Sequence, residues 1–270
     1  MSTPPPSVMV ACRVRPHVAR ADGTVGDWGD ATAQPLRLVG RSVHAHDSSS
    51  GRALAFGPFD ALFGPDSTQE AVFDAIGRPI VEAALNGVNG TILAYGQTGS
   101  GKTHTMQGGP AARTAADDFA GGNGIVPRVV DGIFGGISVA ASTWEFTVRV
   151  TYVEIYLERV RDLLNPSAAN LTIRQNEEQG VYVEGVTEEY VGSAQELMEL
   201  VRVGEVHRAV GATGMNESSS RSHSILTIRV LARDTITGSA RTSRLCLVDL
   251  AGCVGGAIPP PTPPSPARPV

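Results

Sequence analysis

The chain has 270 residues, 41% of them hydrophobic, which is enough for one sizeable core with helices layered on a sheet. Its 22 basic and 27 acidic residues leave a formal net charge of −5, so a polyanionic partner would need a local basic patch, because the global field does not attract one. Three cysteines with no C-x-x-C pair argue against a disulfide framework, the first seven residues lack the regions of a signal peptide, and no apolar run reaches the ~18 residues of a membrane helix. The expectation is a soluble, intracellular protein that acts neither on nucleic acid nor in a membrane.

In chain order, a proline-rich start (residues 1–7) precedes Val8 to Pro16, which reads as a buried strand with Arg13 and Arg15 on one face. Weak strand signals follow at Leu36 to Val39 and Ser42 to His44. His44 and His46 find no third ligand and read as a solvated strand face. Thr68 or Ser67 caps an amphipathic helix from Gln69 to Leu85, in which Pro79 is a misfit that kinks the helix. Thr91 to Tyr95 is a β-prone run. A Gly/Ala/Asp-rich stretch, Gly108 to Gly124, reads as a surface loop, and Ile125 to Ile137 as a helix.

Trp144 to Ile155 alternates with period two and predicts a strand, followed by a short helix from Leu157 to Leu164. Leu171 to Val191 reads as short strands in hairpins. Ser193 to Glu196 is a capping box opening a helix, which Gly204, Gly211 and Gly214 are expected to interrupt. Two strands, Ser224 to Arg233 and Arg244 to Leu250, follow. Seven of the last twelve residues are proline, which predicts a disordered or polyproline-like tail.

The most specific chemistry lies between the β-prone Thr91–Tyr95 run and the glycine-rich insertion. Gly96-Gln97-Thr98-Gly99-Ser100-Gly101-Lys102-Thr103 fits the phosphate-binding pattern G-x-x-x-x-G-K-[ST]. Glycines let successive backbone N–H groups turn toward phosphate oxygens, Lys102 suits the β- and γ-phosphates, and the Thr103 hydroxyl suits Mg²⁺. About 150 residues further on, the apolar run Leu245 to Leu250 ends in Asp249-Leu250-Ala251-Gly252. There a strand-end aspartate suits a metal ion through water, and a following glycine suits a γ-phosphate. Between the two motifs, Asn216-Glu217-Ser218-Ser219-Ser220-Arg221-Ser222-His223 crowds hydroxyls, an amide and a guanidinium into eight residues. That is the donor chemistry a transferring phosphoryl group needs.

These motifs resemble those of kinesin motor domains: Gly96–Met106 the phosphate loop, Asn216–His223 switch I and Asp249–Gly252 switch II. Arg13-Val14-Arg15-Pro16 is similar to the family's adenine-side motif, and Gly124–Arg128 and Tyr152–Leu164 match as well. The resemblance runs in order from about Val8 to Gly252 and looks most like conventional, plus-end-directed kinesins. It implies an α/β fold of the P-loop NTPase type, with a mixed, mainly parallel sheet between two layers of helices. It also implies ATP and Mg²⁺ as cofactors, ATP hydrolysis coupled to microtubule-based movement, and a cytoplasmic, cytoskeletal location. By position it places Pro16 and His104 on either side of the adenine, with Arg13 and Arg15 beside it. Gly96, Gln97, Thr98, Gly99, Ser100, Gly101, Lys102 and Thr103 would hold the phosphates, and Thr103 and Ser220 the Mg²⁺. Asn216, Ser219 and Arg221 would address the γ-phosphate and the attacking water, and Asp249 and Gly252 the metal and the γ-phosphate.

The sequence departs from that pattern after Gly252, where Cys253-Val254 stands in place of Ser-Glu. Val254 has no carboxylate for Arg221, so ATP binding is expected to persist while hydrolysis slows by orders of magnitude. The expected organisation is a disordered N-terminus at 1–7, a partial motor domain at 8–252 and a proline-rich disordered tail at 253–270. Without the helices that the family places after switch II, the main microtubule-binding face would be missing and microtubules would not stimulate the ATPase. The acidic stretch near Gln175 to Glu178 offers no substitute. An incomplete transcript is one expected origin of the tail. The alternative function is a non-motile nucleotide-binding remnant or an interaction module that lacks microtubule binding.

Overall fold

The computed structural model describes residues 8–16, 36–47, 52–109, 122–177, 180–212 and 221–252. The ends expected to be disordered, most of the Gly108–Gly124 insertion, and Cys253 and Val254 lie outside these residues.

Strand β1 (Ala11–Arg13) pairs in parallel with β5 (Ala61–Phe63). Between them in sequence, β2 (Leu36–Val39), β3 (Ser42–Asp47) and β4 (Arg52–Phe56) form an antiparallel meander. Its residues are largely exposed, as expected for His44 and His46, and no metal-ligating cluster occurs among the described residues.

The predicted helix from Gln69 to Leu85 is present in three pieces: α1 (Gln69–Val72), a π-helical turn (Phe73–Gly77) and α2 (Arg78–Leu85). Thr68 is the cap, its hydroxyl accepting from the Ala71 N–H at 3.1 Å. The wide turn sits just ahead of Pro79, whose ring nitrogen has no hydrogen to donate to the preceding turn. Gly77 lets the Phe73 ring lie against the backbone, since a Cβ there would fall 2.4 Å from it.

The central sheet continues with β6 (Gly90–Ala94), which leads through the glycine loop to α3 (Lys102–Met106) and α4 (Ile125–Ala140). Strand β7 (Trp144–Tyr156) then turns back as β8 (Arg159–Asp162). This replaces the helix predicted for Leu157–Leu164. Leu157 and Glu158 form a tight turn with φ of 46° and 61°, and Val160 and Leu163 enter the core. Cross-strand pairing and that burial outweigh the local helical pattern. A hairpin of β9 (Ala169–Asn176) and β10 (Gly180–Glu184), and then β11 (Glu189–Val191), complete this edge.

Helix α5 (Ala194–Ala212) opens on the predicted capping box. Ser193 accepts from the Glu196 N–H at 3.1 Å, and Glu196 accepts from the Gly192 N–H at 2.7 Å. The expected interruption at Gly204 and Gly211 does not occur. At Gly204 a Cβ would meet the Tyr152 ring at 2.3 Å, so this glycine serves close packing inside a continuous helix. The last strands, β12 (His223–Asp234) and β13 (Ala240–Asp249), form a long hairpin.

The sheet order is β10-β9-β8-β7-β12-β13-β6, with β11 on the free part of β7. The α/β architecture is as expected and the sheet is mixed, but the pairing is mostly antiparallel rather than mainly parallel. Within this sheet β13 and β6 are the parallel pair among the described residues. Helices α2, α4 and α5 cover one face, burying Val148, Val150, Tyr152, Ile228, Val230, Leu245 and Leu247 with Val129, Val130, Ile133 and Leu197. Each such side chain contributes about 1.5–3 kcal/mol through burial. On the other face Leu93 is exposed.

Candidate functional site

Strand order builds the site. The parallel register sets Asp249, the last residue of β13, opposite Ala94, the last residue of β6. Both chains leave the sheet at the same edge, so the glycine loop and the Asp249–Gly252 segment emerge side by side.

The loop from Gly96 to Gly101 turns through left-handed backbone at Gly99 (φ 79°) and Gly101 (φ 97°), and Gly101 is the residue from which α3 starts. Lys102 folds back over the loop, its Nζ donating to the carbonyls of Gly96 at 2.9 Å and Gln97 at 3.0 Å. The Ser100 N–H closes the turn onto the Gln97 carbonyl at 3.1 Å. Arg15 reaches in from the end of β1 and donates to the Gly99 carbonyl at 2.5 Å.

Next along α3, the Thr103 hydroxyl donates to Asp249 Oδ2 at 2.8 Å, joining residues 146 apart in sequence. Asp249 is 5% exposed, and its second oxygen, Oδ1, is buried without a hydrogen-bond partner. A buried carboxylate oxygen left unsatisfied beside a threonine hydroxyl is a costly arrangement unless a ligand completes it. The oxygen chemistry fits Mg²⁺ or a water in its shell.

Beyond Asp249, Gly252 lies against the loop. A Cβ on it would fall 2.0 Å from Thr98 Oγ1 and 2.8 Å from Thr98 N. The segment is held by the Leu250 N–H on the Ala94 carbonyl at 3.3 Å and the Ala251 N–H on His223 Nδ1 at 3.1 Å.

On the opposite side, Arg13 donates from Nη1 to Gln69 Oε1 at 2.7 Å and to Thr105 Oγ1 at 2.9 Å. Gln69 in turn donates to the His104 carbonyl at 2.7 Å and lies 3.2 Å from His104 Nε2. Burial, and then the Arg13 charge, hold the His104 imidazole below its usual pKa. Arg13 therefore ties β1, α1 and α3 together, while Pro16, three residues further on, is exposed. Arg221 is exposed just before β12, and Asn216, Ser219 and Ser220 lie outside the described residues.

Sequence reasoning missed a buried ionic cluster behind Asp249. Arg208 of α5 lies 3.5 Å from Glu154 Oε1 on β7 and 3.8 Å from Asp249 Oδ2. It also donates to Ser224 Oγ at 3.1 Å and to the Ser222 carbonyl at 3.1 Å. One turn earlier Glu205 accepts from the Tyr152 hydroxyl, and at 3.4 Å from Gln107 Nε2. A signal for Arg208 was available, because it continues the Leu197, Val201, Gly204 face of α5 where the period demands a buried residue.

A strand, glycine loop and helix beside a parallel strand that ends in aspartate define a phosphate-loop NTPase fold. The kinesin motor domain family model matches residues 13–255. A kinesin heavy chain of Botryotinia fuckeliana is 44% identical over 246 residues, covering 91% of this chain and 26% of the relative. That of Gibberella moniliformis is 50% identical over 194 residues, 72% of this chain and 20% of the relative. A solved fast kinesin, studied for its ATPase mechanism and interactions with microtubules, superposes with a TM-score of 0.79 at 42% identity and covers 91% of this chain and 66% of that one. The chain belongs to the kinesin motor domain family. It spans about a fifth to a quarter of the length of these heavy chains.

Proposed function

We propose that this chain binds Mg-ATP between the glycine loop and the end of β13, as the ATPase part of a kinesin-type microtubule motor. The observation that carries the reading is the Thr103–Asp249 pair with its unsatisfied buried oxygen. The 44% identity to a kinesin heavy chain over 91% of the chain supports the motor assignment.

In this reading Gly96 to Thr103 cradle the phosphates, and Lys102 exchanges its two loop carbonyls for phosphate oxygens. Thr103 and Ser220 hold Mg²⁺, and Asp249 acts on its water shell. The bound Mg²⁺ would neutralise charge on the phosphate oxygens during transfer. Asn216, Ser219 and Arg221 orient the γ-phosphate and the attacking water, and the Gly252 N–H addresses the γ-phosphate. Pro16 and His104 flank the adenine. Arg13 orients His104 through Gln69, and Arg15 fixes the loop at Gly99 from the adenine side. Residues 8–252 form the nucleotide-binding unit. Val254 offers no carboxylate to Arg221, so turnover is slow relative to binding.

The test is titration of the 270-residue chain with a fluorescent ATP analogue and Mg²⁺. Lys102→Ala should abolish binding, and undiminished binding by that variant would remove the assignment. Stimulation of the ATPase by added microtubules would support the motor reading over a non-motile nucleotide-binding module.

A further inference from the structure

Helices α3 and α5 are linked at two places, once through Asp249 and once directly, and together these contacts close a ring. At one point Thr103 of α3 donates to Asp249, which Arg208 of α5 faces at 3.8 Å. At the other, Gln107 at the end of α3 donates to Glu205 of α5 at 3.4 Å. Along α3 the link is direct, since the Gln107 N–H donates to the Thr103 carbonyl at 2.7 Å. Along α5, Glu205 and Arg208 are three residues apart and share a face.

We propose that Glu205 is a positioning residue of the nucleotide site: by gathering Tyr152 and Gln107 on one carboxylate oxygen, it sets the distance between α3 and α5 and so holds Thr103 and Arg208 against Asp249. The inference rests on the nucleotide-binding reading above. Three observations carry it. Tyr152, 1% exposed, comes from the middle of the central strand and gives Glu205 a fixed reference in the core. Gly204, the residue before Glu205, has no Cβ, so the Tyr152 ring lies directly on the α5 backbone and the register of helix on sheet is tight. Helix α3 has only five residues, about 7.5 Å of rise, so a shift at Gln107 reaches Thr103 undamped. Among the described residues the hydrogen bonds of Glu205 come from Tyr152 and Gln107 and not from the glycine loop, so it acts through its neighbours.

The experiment measures release of mant-ADP from the full chain, with Mg²⁺ present and after chelation by EDTA, alongside thermal melting. In the wild-type protein chelation should accelerate release. Glu205→Ala should release about tenfold faster with Mg²⁺ present, the order expected for a lost charge-assisted contact, and should respond little to EDTA. Glu205→Gln keeps an acceptor for Tyr152 and Gln107 and should return release to within about twofold of wild type. Gln107→Ala removes one partly buried side chain from the surface side of the ring, so it reports even if Glu205→Ala fails to fold; about threefold faster release is expected. A lowered melting temperature with wild-type release and EDTA response, in Glu205→Ala or in Gln107→Ala, would make Glu205 merely structural and overturn the inference. Failure of the wild-type chain to bind mant-ADP would instead overturn the nucleotide-binding reading, and this inference with it.

Discussion

Replacing Arg208 by methionine should be among the most damaging single changes in the chain. Its side chain is 4% exposed, and it faces two carboxylates, Glu154 and Asp249, each with a side chain 6% exposed. Methionine fills much of the volume but supplies no charge, leaving both acids buried. Glu154 retains Arg161 at 3.5 Å, and Asp249 retains the Thr103 hydroxyl. Ser224 Oγ and the Ser222 carbonyl lose their donor as well. Removing one partner of a buried ion pair costs about 3–5 kcal/mol, a large part of the roughly 5–15 kcal/mol that stabilises a typical domain. For a domain of this size that corresponds to a melting temperature lower by about 6–20 °C. Urea denaturation of wild type, Arg208→Met, Glu154→Gln and the double variant forms the assay. Glu154→Gln should recover at least about 1 kcal/mol in the Arg208→Met background, because it removes one of the stranded charges. A loss below about 1 kcal/mol for Arg208→Met, or strictly additive effects, would refute the reasoning.

Two further outcomes follow from the same geometry. Gly252→Ala drives a Cβ into the Thr98 backbone and hydroxyl, so ATP-analogue affinity should fall about tenfold or more while melting changes little; isothermal calorimetry reading wild-type affinity would contradict the contact. The pKa of His104 is lowered by burial and then by Arg13, so the folded state prefers the neutral ring. Its contribution to stability is present above about pH 6.5 and is lost as pH falls through the lower folded-state value. Between pH 7.5 and 5 the wild-type melting temperature should therefore decline more steeply than that of His104→Gln, and an NMR titration placing His104 at or above 6.5 would reverse the sign.

Local chemistry carried much of this into the sequence. The glycine loop, the Ser193 capping box, the alternation of β7 and the Thr68 cap are all set by residues within a few positions of one another. What sequence reading missed depends on distant neighbours. Leu157–Leu164 carries a helical pattern, yet the edge of β7 was available to pair with it. Gly204 looked like a helix breaker because nothing near it in sequence announces the Tyr152 ring. The mainly parallel sheet was implied by the family resemblance, whereas the strands of the long antiparallel β12–β13 hairpin were themselves legible in the sequence. The glycine loop, Asp249 and Gly252 were legible as motifs, whereas Arg208, Gln69 and Glu205, which pack among and behind them, belong to no motif.

That hairpin also bears on how the site can move. Strand β12 begins just after Arg221 and β13 ends just before Gly252, and ten cross-strand pairs run from Ser224–Asp249 to Arg233–Ala240. At the site end the strands are fastened again by Ala251 on His223. Arg221 and Gly252 are thus carried on the two prongs of a single stiff fork. Any displacement of one prong relative to the other therefore has to break or shear part of that ladder.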